Sequence, residues 1–162
     1  MVFSYLIAPM VLPHIVLGMA LFRIGLFLDT SEGFTINATD SLWFYVVAHT
    51  TITIPYAIIT IGASLQTLDR NLEEAAQILG ASYFKTIIFV TIPLIKSGLI
   101  GAFIFSFIIS FDEFIVTYFL ATFNQTLPIQ IYSTLMFQLE PSIASISTLM
   151  LALTALLTLV LM

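Results

Sequence analysis

Four apolar stretches, roughly 5–28, 43–65, 93–120 and 142–162, constrain this chain more than any other feature of its sequence. Each is long enough for a helix to cross about 30 Å of hydrocarbon, which takes roughly 20 residues. The fold class they predict is all-α integral membrane, a bundle of about four transmembrane helices in a single domain covering 1–162. Composition agrees: 60% of the 162 residues are hydrophobic and 8% charged, with a mean hydropathy of +1.12. So few charges cannot keep a globular surface in water, which excludes a cytosolic enzyme. Pro9, Pro13, Pro55 and Pro93 fall within or beside the stretches and argue against straight helices throughout.

Charge placement gives the orientation. The first connection, up to residue 42, carries Asp29, Glu32 and Asp40 and no base, whereas the second, 66–92, carries Arg70 and Lys85 with Lys96 just beyond. The positive-inside rule puts the second in the cytoplasm; by alternation the first and the third, 121–141, face outward, with Trp43 at the outer interface. A net charge of -5 leaves no basic footprint, so no nucleic-acid partner is expected. With no cysteine and only His14 and His49, neither a disulfide framework nor a metal site is expected. Asn37-Ala38-Thr39 and Asn124-Gln125-Thr126 match a glycosylation acceptor by chance rather than by function. The chain opens without a basic leader and ends inside an apolar run, 159–162, so it is expected to be a piece trimmed at both ends.

The most informative segment is the inner connection, DRNLEEAAQILGASYFKTIIFVTIP from Asp69 to Pro93. Asn71 is the expected N-cap of a short helix, with Glu74 three residues on completing a capping-box pattern. Ala75 and Ala76 offer a face where another backbone approaches closely, Gly80 stops the helix, and Ser82 caps a second one. The spacing E-A-A, three residues, G, nine residues, then I-x-L-P is filled by Glu74, Ala75, Ala76, Gly80, Val90, Ile92 and Pro93, with Val for Ile and Ile for Leu. This segment resembles the cytoplasmic loop of the membrane-spanning permease subunits of type I ABC importers. The resemblance implies a helix-turn-helix coupling loop over 69–92 that docks on an ATP-binding subunit dimer through Glu74, Ala75, Ala76 and Gly80, ahead of Pro93.

The likeness extends over nearly the whole chain. LPHIVLGMAL, SFIISFDEFIVTYFL, TLPIQIYSTL and EPSIASISTLML look like spermidine and putrescine permeases of the second-subunit type, with His14 standing where that group usually has Glu. Such permeases have six spans, so the resemblance implies that the first two are missing here. It also implies a second permease subunit, an extracytoplasmic solute-binding protein and the lipid bilayer of the bacterial cytoplasmic (inner) membrane as partners, and alternating access as the mechanism. No G-x-x-x-x-G-K-[ST] loop occurs, so no ATP or other cofactor is expected in this subunit, which is not itself an enzyme.

Within the third stretch, Asp112 and Glu113 follow 15 apolar residues, 97–111, and carboxylates at such depth are costly unless they face a polar cavity or a cation. Ser106, Ser110 and Glu113 fall at i, i+4 and i+7, a polar stripe on one helix face. Carboxylates pair ammonium groups, and Phe107, Phe111, Phe114 or Tyr118 could cover methylenes. The resemblance carries substrate binding onto Ser110, Asp112 and Glu113. Alternatively the acids meet interfacial water, or Asp112 neutralises Arg23; His49 with Thr50, Thr51 and Thr53 could line the same cavity. His14 and the tract 35–39 read more simply as packing and a solvated loop. Rival functions are an importer for ferric iron, an aminophosphonate or another small solute, and a non-ABC cation transporter or channel.

Overall fold

The computed structural model describes residues 2–30, 38–121, 125–137 and 141–161. Among these the chain is helical, with no strand: α1 Val2–Val11, α2 His14–Thr30, a 3-10 turn Ala38–Asp40, α3 Leu42–Gln66, α4 Arg70–Ile78, α5 Tyr83–Thr86, a π turn Ile87–Thr91, α6 Ile92–Leu94, α7 Lys96–Phe111, α8 Ile115–Leu120, α9 Leu127–Phe137 and α10 Pro141–Leu161. Two helices are each long and apolar enough to cross a bilayer, Leu42–Gln66 and Pro141–Leu159. The acceptor-like asparagines 37 and 124, Glu32 and most of the 35–39 tract lie outside the described residues.

The other two stretches are broken. Tyr5–Val11 and His14–Thr30 meet at 117° around Pro13, whose carbonyl takes the first amides of α2, Val16 at 2.9 Å and Leu17 at 3.2 Å. Stretch 93–120, expected as one span, is divided twice. At its start Tyr83–Leu94 and Lys96–Phe111 meet at 72°. Pro93 has no N–H for the carbonyl one turn back and its ring crowds that carbonyl; the ladder there widens into the π turn, with the Ile92 amide bonding Ile87 O. At its other end α7 stops at Phe111, and α8 begins only at Ile115. The third connection, expected as a loop over 121–141, contains the apolar helix α9.

By its contacts the chain falls into two compact units, 1–55 with 107–162, and 56–106. In the first, α2 packs on α8 around Leu17, Leu21, Val116 and Leu120, joined by Phe44, Tyr45, Ala48 and Ile52 of α3. Gly18 permits the crossing: a Cβ there would stand 2.8 Å from Phe119 Cδ2 and 3.1 Å from Val116 Cα. Tyr45 adds a directional bond, its hydroxyl donating to Leu120 O at 3.3 Å.

The second unit holds the helix-turn-helix. Asp69, not Asn71, caps α4: Asp69 is extended and its Oδ1 accepts from the Asn71 amide at 3.0 Å. The helix starts two residues earlier than the capping-box pattern suggests, so Asn71 is already inside it and Glu74 has no cap to close. At the other end Gly80, at φ +92°, gives its amide to Gln77 O while Ala81 reaches Ala76 O, both at 3.0 Å. This paired closure needs a left-handed residue, which glycine adopts without Cβ strain. Ser82 Oγ then caps α5, accepting from the Lys85 amide at 3.4 Å.

Candidate functional site

Around the break between α7 and α8 lie Ser110, Asp112 and Glu113, all in the first unit, whereas Ser106 of the predicted stripe falls in the second. Because α7 ends at Phe111, the i, i+4, i+7 face closes at Ser110, and Glu113 lies beyond the helix. Its orientation is therefore set by the break, and it points inward. Glu113 is 6% exposed. Its Oε1 accepts from the Val116 amide at 2.8 Å, in the first turn of α8, and its Oε2 lies 2.9 Å from His14 Nδ1 at the start of α2.

His49 spans the same break from α3. Its Nδ1 is 2.8 Å from Ser110 Oγ on the last turn of α7, and its Nε2 is 2.9 Å from Thr117 Oγ1 on α8. Thr117 is wholly buried. Two sets of polar contacts thus bracket the break, His14–Glu113–Val116 amide and Ser110–His49–Thr117, so that these buried or half-buried polar groups find partners. Thr51 and Thr53, by contrast, spend their hydroxyls on their own helix, bonding Val47 O at 2.8 Å and His49 O at 2.9 Å.

Asp112 takes the opposite course. It is exposed and lines a cavity of about 370 Å³ whose other walls are Phe114, Pro128, Ile131, Tyr132 and Leu135 with Ser147, Met150, Leu151 and Thr154 of α10. Three rings cluster beside it: Phe114 to Tyr132 at 5.0 Å between centroids, Phe114 to Tyr118 at 5.5 Å and Tyr118 to Tyr132 at 6.0 Å. Of the aromatics named from sequence, Phe114 reaches the cavity wall, whereas Phe107 and Phe111 stack on each other at 5.7 Å. Tyr132 and the α10 residues are not singled out by the sequence as cavity residues, because apolar periodicity does not say which helix pairs enclose a space.

Arg23 does not pair Asp112. It is exposed, in a groove along its own helix with Ile24, Leu26, Phe27 and Thr30, and among the described residues it makes no ion pair. The basic group that meets an acid is His14, the position where the resembling permeases have Glu and which the sequence marks only as an apolar-span histidine.

In the second unit, α4 presents the loop motif. Glu74 and Ala75 are exposed and Ala76 is half-buried; no residue of α4 is fully buried. Beyond it Ile78 and Leu79 are 85% and 88% exposed, with Tyr83 and Phe84 also open. The residue missed by sequence reasoning is Glu73, whose Oε1 accepts from Thr91 Oγ1 at 2.5 Å and so ties α4 to the π turn before Pro93.

The sequence matches, over residues 1–162, the family described as binding-protein-dependent transport system inner membrane component. It is 30% identical over 152 residues to the putrescine transport system permease protein PotI of Escherichia coli (strain K12), an alignment covering 92% of this chain and 53% of that protein. It is 32% identical over 131 residues to a probable molybdenum ABC transporter permease protein of Haloferax volcanii, covering 81% and 49%. The spermidine/putrescine transport system permease protein PotC of Haemophilus influenzae is 29% identical over 145 residues, covering 89% and 53%. The chain therefore spans about half the length of the curated relatives it matches.

Proposed function

The chain belongs to the family of binding-protein-dependent transport system inner membrane components, and from that membership we propose that it is a permease subunit of an ABC importer carrying spermidine- or putrescine-like cationic polyamines. Likeness alone does not choose the cargo, since relatives of similar identity are named for putrescine and for molybdenum. The observation that favours a cationic amine is Asp112, an exposed acid and, among the described residues, the one charged residue on the wall of a cavity otherwise lined by rings, aliphatic groups and the hydroxyl residues Ser147 and Thr154. An ammonium group pairs the carboxylate, methylenes lie against Ile131, Leu135 and Met150, and the faces of Phe114 and Tyr132 attract the cation. An anionic cargo would meet repulsion there. Ser110, Asp112 and Glu113 make up the cargo segment, with Asp112 as its open face.

In the same reading the chain crosses the membrane four times with 69–92 on the cytoplasmic side. Glu74, Ala75, Ala76 and Gly80, with the exposed Ile78 and Leu79, dock on a dimer of ATP-binding subunits, which hydrolyse the ATP. Closure of that dimer moves α4, the motion passes toward Pro93, and the cavity is exposed to one side at a time. A second permease subunit and an extracytoplasmic solute-binding protein complete the assembly. Uptake of radiolabelled putrescine by the complete importer in proteoliposomes, competed by unlabelled diamine but not by molybdate, tests this; competition by molybdate with no effect of diamines overturns it.

A further inference from the structure

Adjacent in sequence, Asp112 and Glu113 have different surroundings. Both oxygens of Glu113 already hold donors of this chain, the Val116 amide and the His14 ring, and its side chain is 5% exposed. A cation has no open approach to it. Asp112 is exposed on the cavity wall, with Phe114 and Tyr132 as its neighbours there. His49 meanwhile holds Ser110 on one side of the break and Thr117 on the other, and Glu113 reaches forward into α8 and across to α2.

We propose that Asp112 alone supplies the charge that meets the cargo, and that His14 and Glu113 are positioning residues, a latch that fixes the 112–114 break so that Asp112 faces the cavity. This deepens the cationic-cargo reading and rests on it. One cargo-facing carboxylate pairs one ammonium group, so this chain recognises one end of a diamine. The latch needs no net charge: a neutral imidazole protonated at Nδ1 donates to Oε2 as a charged one does.

Glu113→Gln is the discriminating variant. Its amide oxygen accepts from the Val116 amide and its amide nitrogen donates to an unprotonated His14 Nδ1, so the latch survives without the carboxylate. In the complete importer, measured by radiolabelled putrescine uptake, Glu113→Gln is expected to keep KM within about twofold and, with the latch intact, to lose less Vmax than Glu113→Ala. Asp112→Asn raises KM about tenfold or more. His14→Ala and Glu113→Ala lower Vmax and thermal stability, and the double variant is no worse than Glu113→Ala alone, because the two changes remove the same contact. A rise in KM for Glu113→Gln equal to that of Asp112→Asn would overturn the latch while leaving the cationic cargo standing. Unchanged KM in both amide variants overturns the cargo reading and Asp112's part in it, while the latch is then judged on stability alone: strict additivity of His14→Ala and Glu113→Ala sinks it.

Discussion

Glu73 and Glu74 on α4, and Asp112 and Glu113 at the helix break, are both adjacent acidic pairs, one in each compact unit. The fold divides each pair the same way. One member turns inward and is bonded to a distant part of its own unit: Glu73 to the Thr91 hydroxyl, Glu113 to His14 and the Val116 amide. The other, Glu74 or Asp112, stays exposed. The physical difference is depth of burial: Thr91 is 7% exposed but Glu73 itself is only half-buried, whereas Glu113 is closed off. The comparison teaches that in such a pair the bonded acid sets the geometry and the exposed one is left to meet a partner.

The largest effect expected is at the closed acid. Glu113→Ala strips the Val116 amide and the His14 ring of their acceptor in a buried place, and should cost roughly 2 to 3 kcal/mol. Thermal unfolding of the purified importer in detergent, with the amount of membrane-inserted protein, checks it. A loss no larger than that of Asp112→Ala would erase the distinction between the two acids.

Glu73→Ala should cost less, about 1 kcal/mol, since the acid is half-buried and water replaces part of the bond. Its functional consequence separates it from Glu113. With the clasp to Thr91 gone, α4 is held to the π turn by packing and chain connection alone, so ATP hydrolysis should persist while uptake falls. Thr91→Val removes the donor and should reproduce this. Linking the positions by a disulfide in a Glu73→Cys, Thr91→Cys variant should leave uptake largely intact if the two segments move as one body; full inhibition by the link would show that they move apart.

These contrasts mark what the sequence made legible. The helices Leu42–Gln66 and Pro141–Leu161 follow from long apolar runs, and Gly80 and Ser82 announce a helix stop and start by chemistry that acts within one turn. The Asn71 cap failed for a related reason: Asp69 and Asn71 are both good caps, and only the backbone decides which stands outside the helix. What could not be read is pairing at long range. Nothing local links His14 to Glu113 or Tyr45 to Leu120, and the Arg23 to Asp112 pair was inferred from depth alone, which does not fix the azimuth of a side chain on its helix. The 112–114 break was hidden because apolar residues continue on both sides of it.

At Gly80 the expected effect lies in the backbone. With φ at +92° and open space around the Cβ position, Gly80→Ala meets no clash and pays only the left-handed strain, about 1 kcal/mol. Gly80→Trp adds bulk beside Ile78 and Leu79, and should uncouple hydrolysis from uptake while the protein still inserts. Orientation is checked alongside: in this cysteine-free chain, Gln77→Cys should react with an impermeant reagent only from the cytoplasmic side and Gln125→Cys only from outside.

The smallest effect on folding is expected at the exposed acids, and there it should be dissociated from function. Glu74 and Asp112 make no ion pair among the described residues, so Glu74→Gln and Asp112→Asn each remove an exposed charge that pairs with no other charge of the fold. Surface changes of this kind stay within about 0.5 kcal/mol, and unfolding midpoints should barely move. Function should part in two directions. Asp112→Asn weakens cargo recognition with ATP turnover preserved at saturating cargo, because the charge-assisted bond to an ammonium is lost. Glu74→Lys, reversing charge on the face proposed to meet the ATP-binding subunit, should weaken assembly of the complex with no change in KM for cargo in whatever assembles. Equal loss of KM and of assembly in both variants would mean that the exposed acids are not divided by partner, and the parallel between the two pairs would then hold only for the buried members.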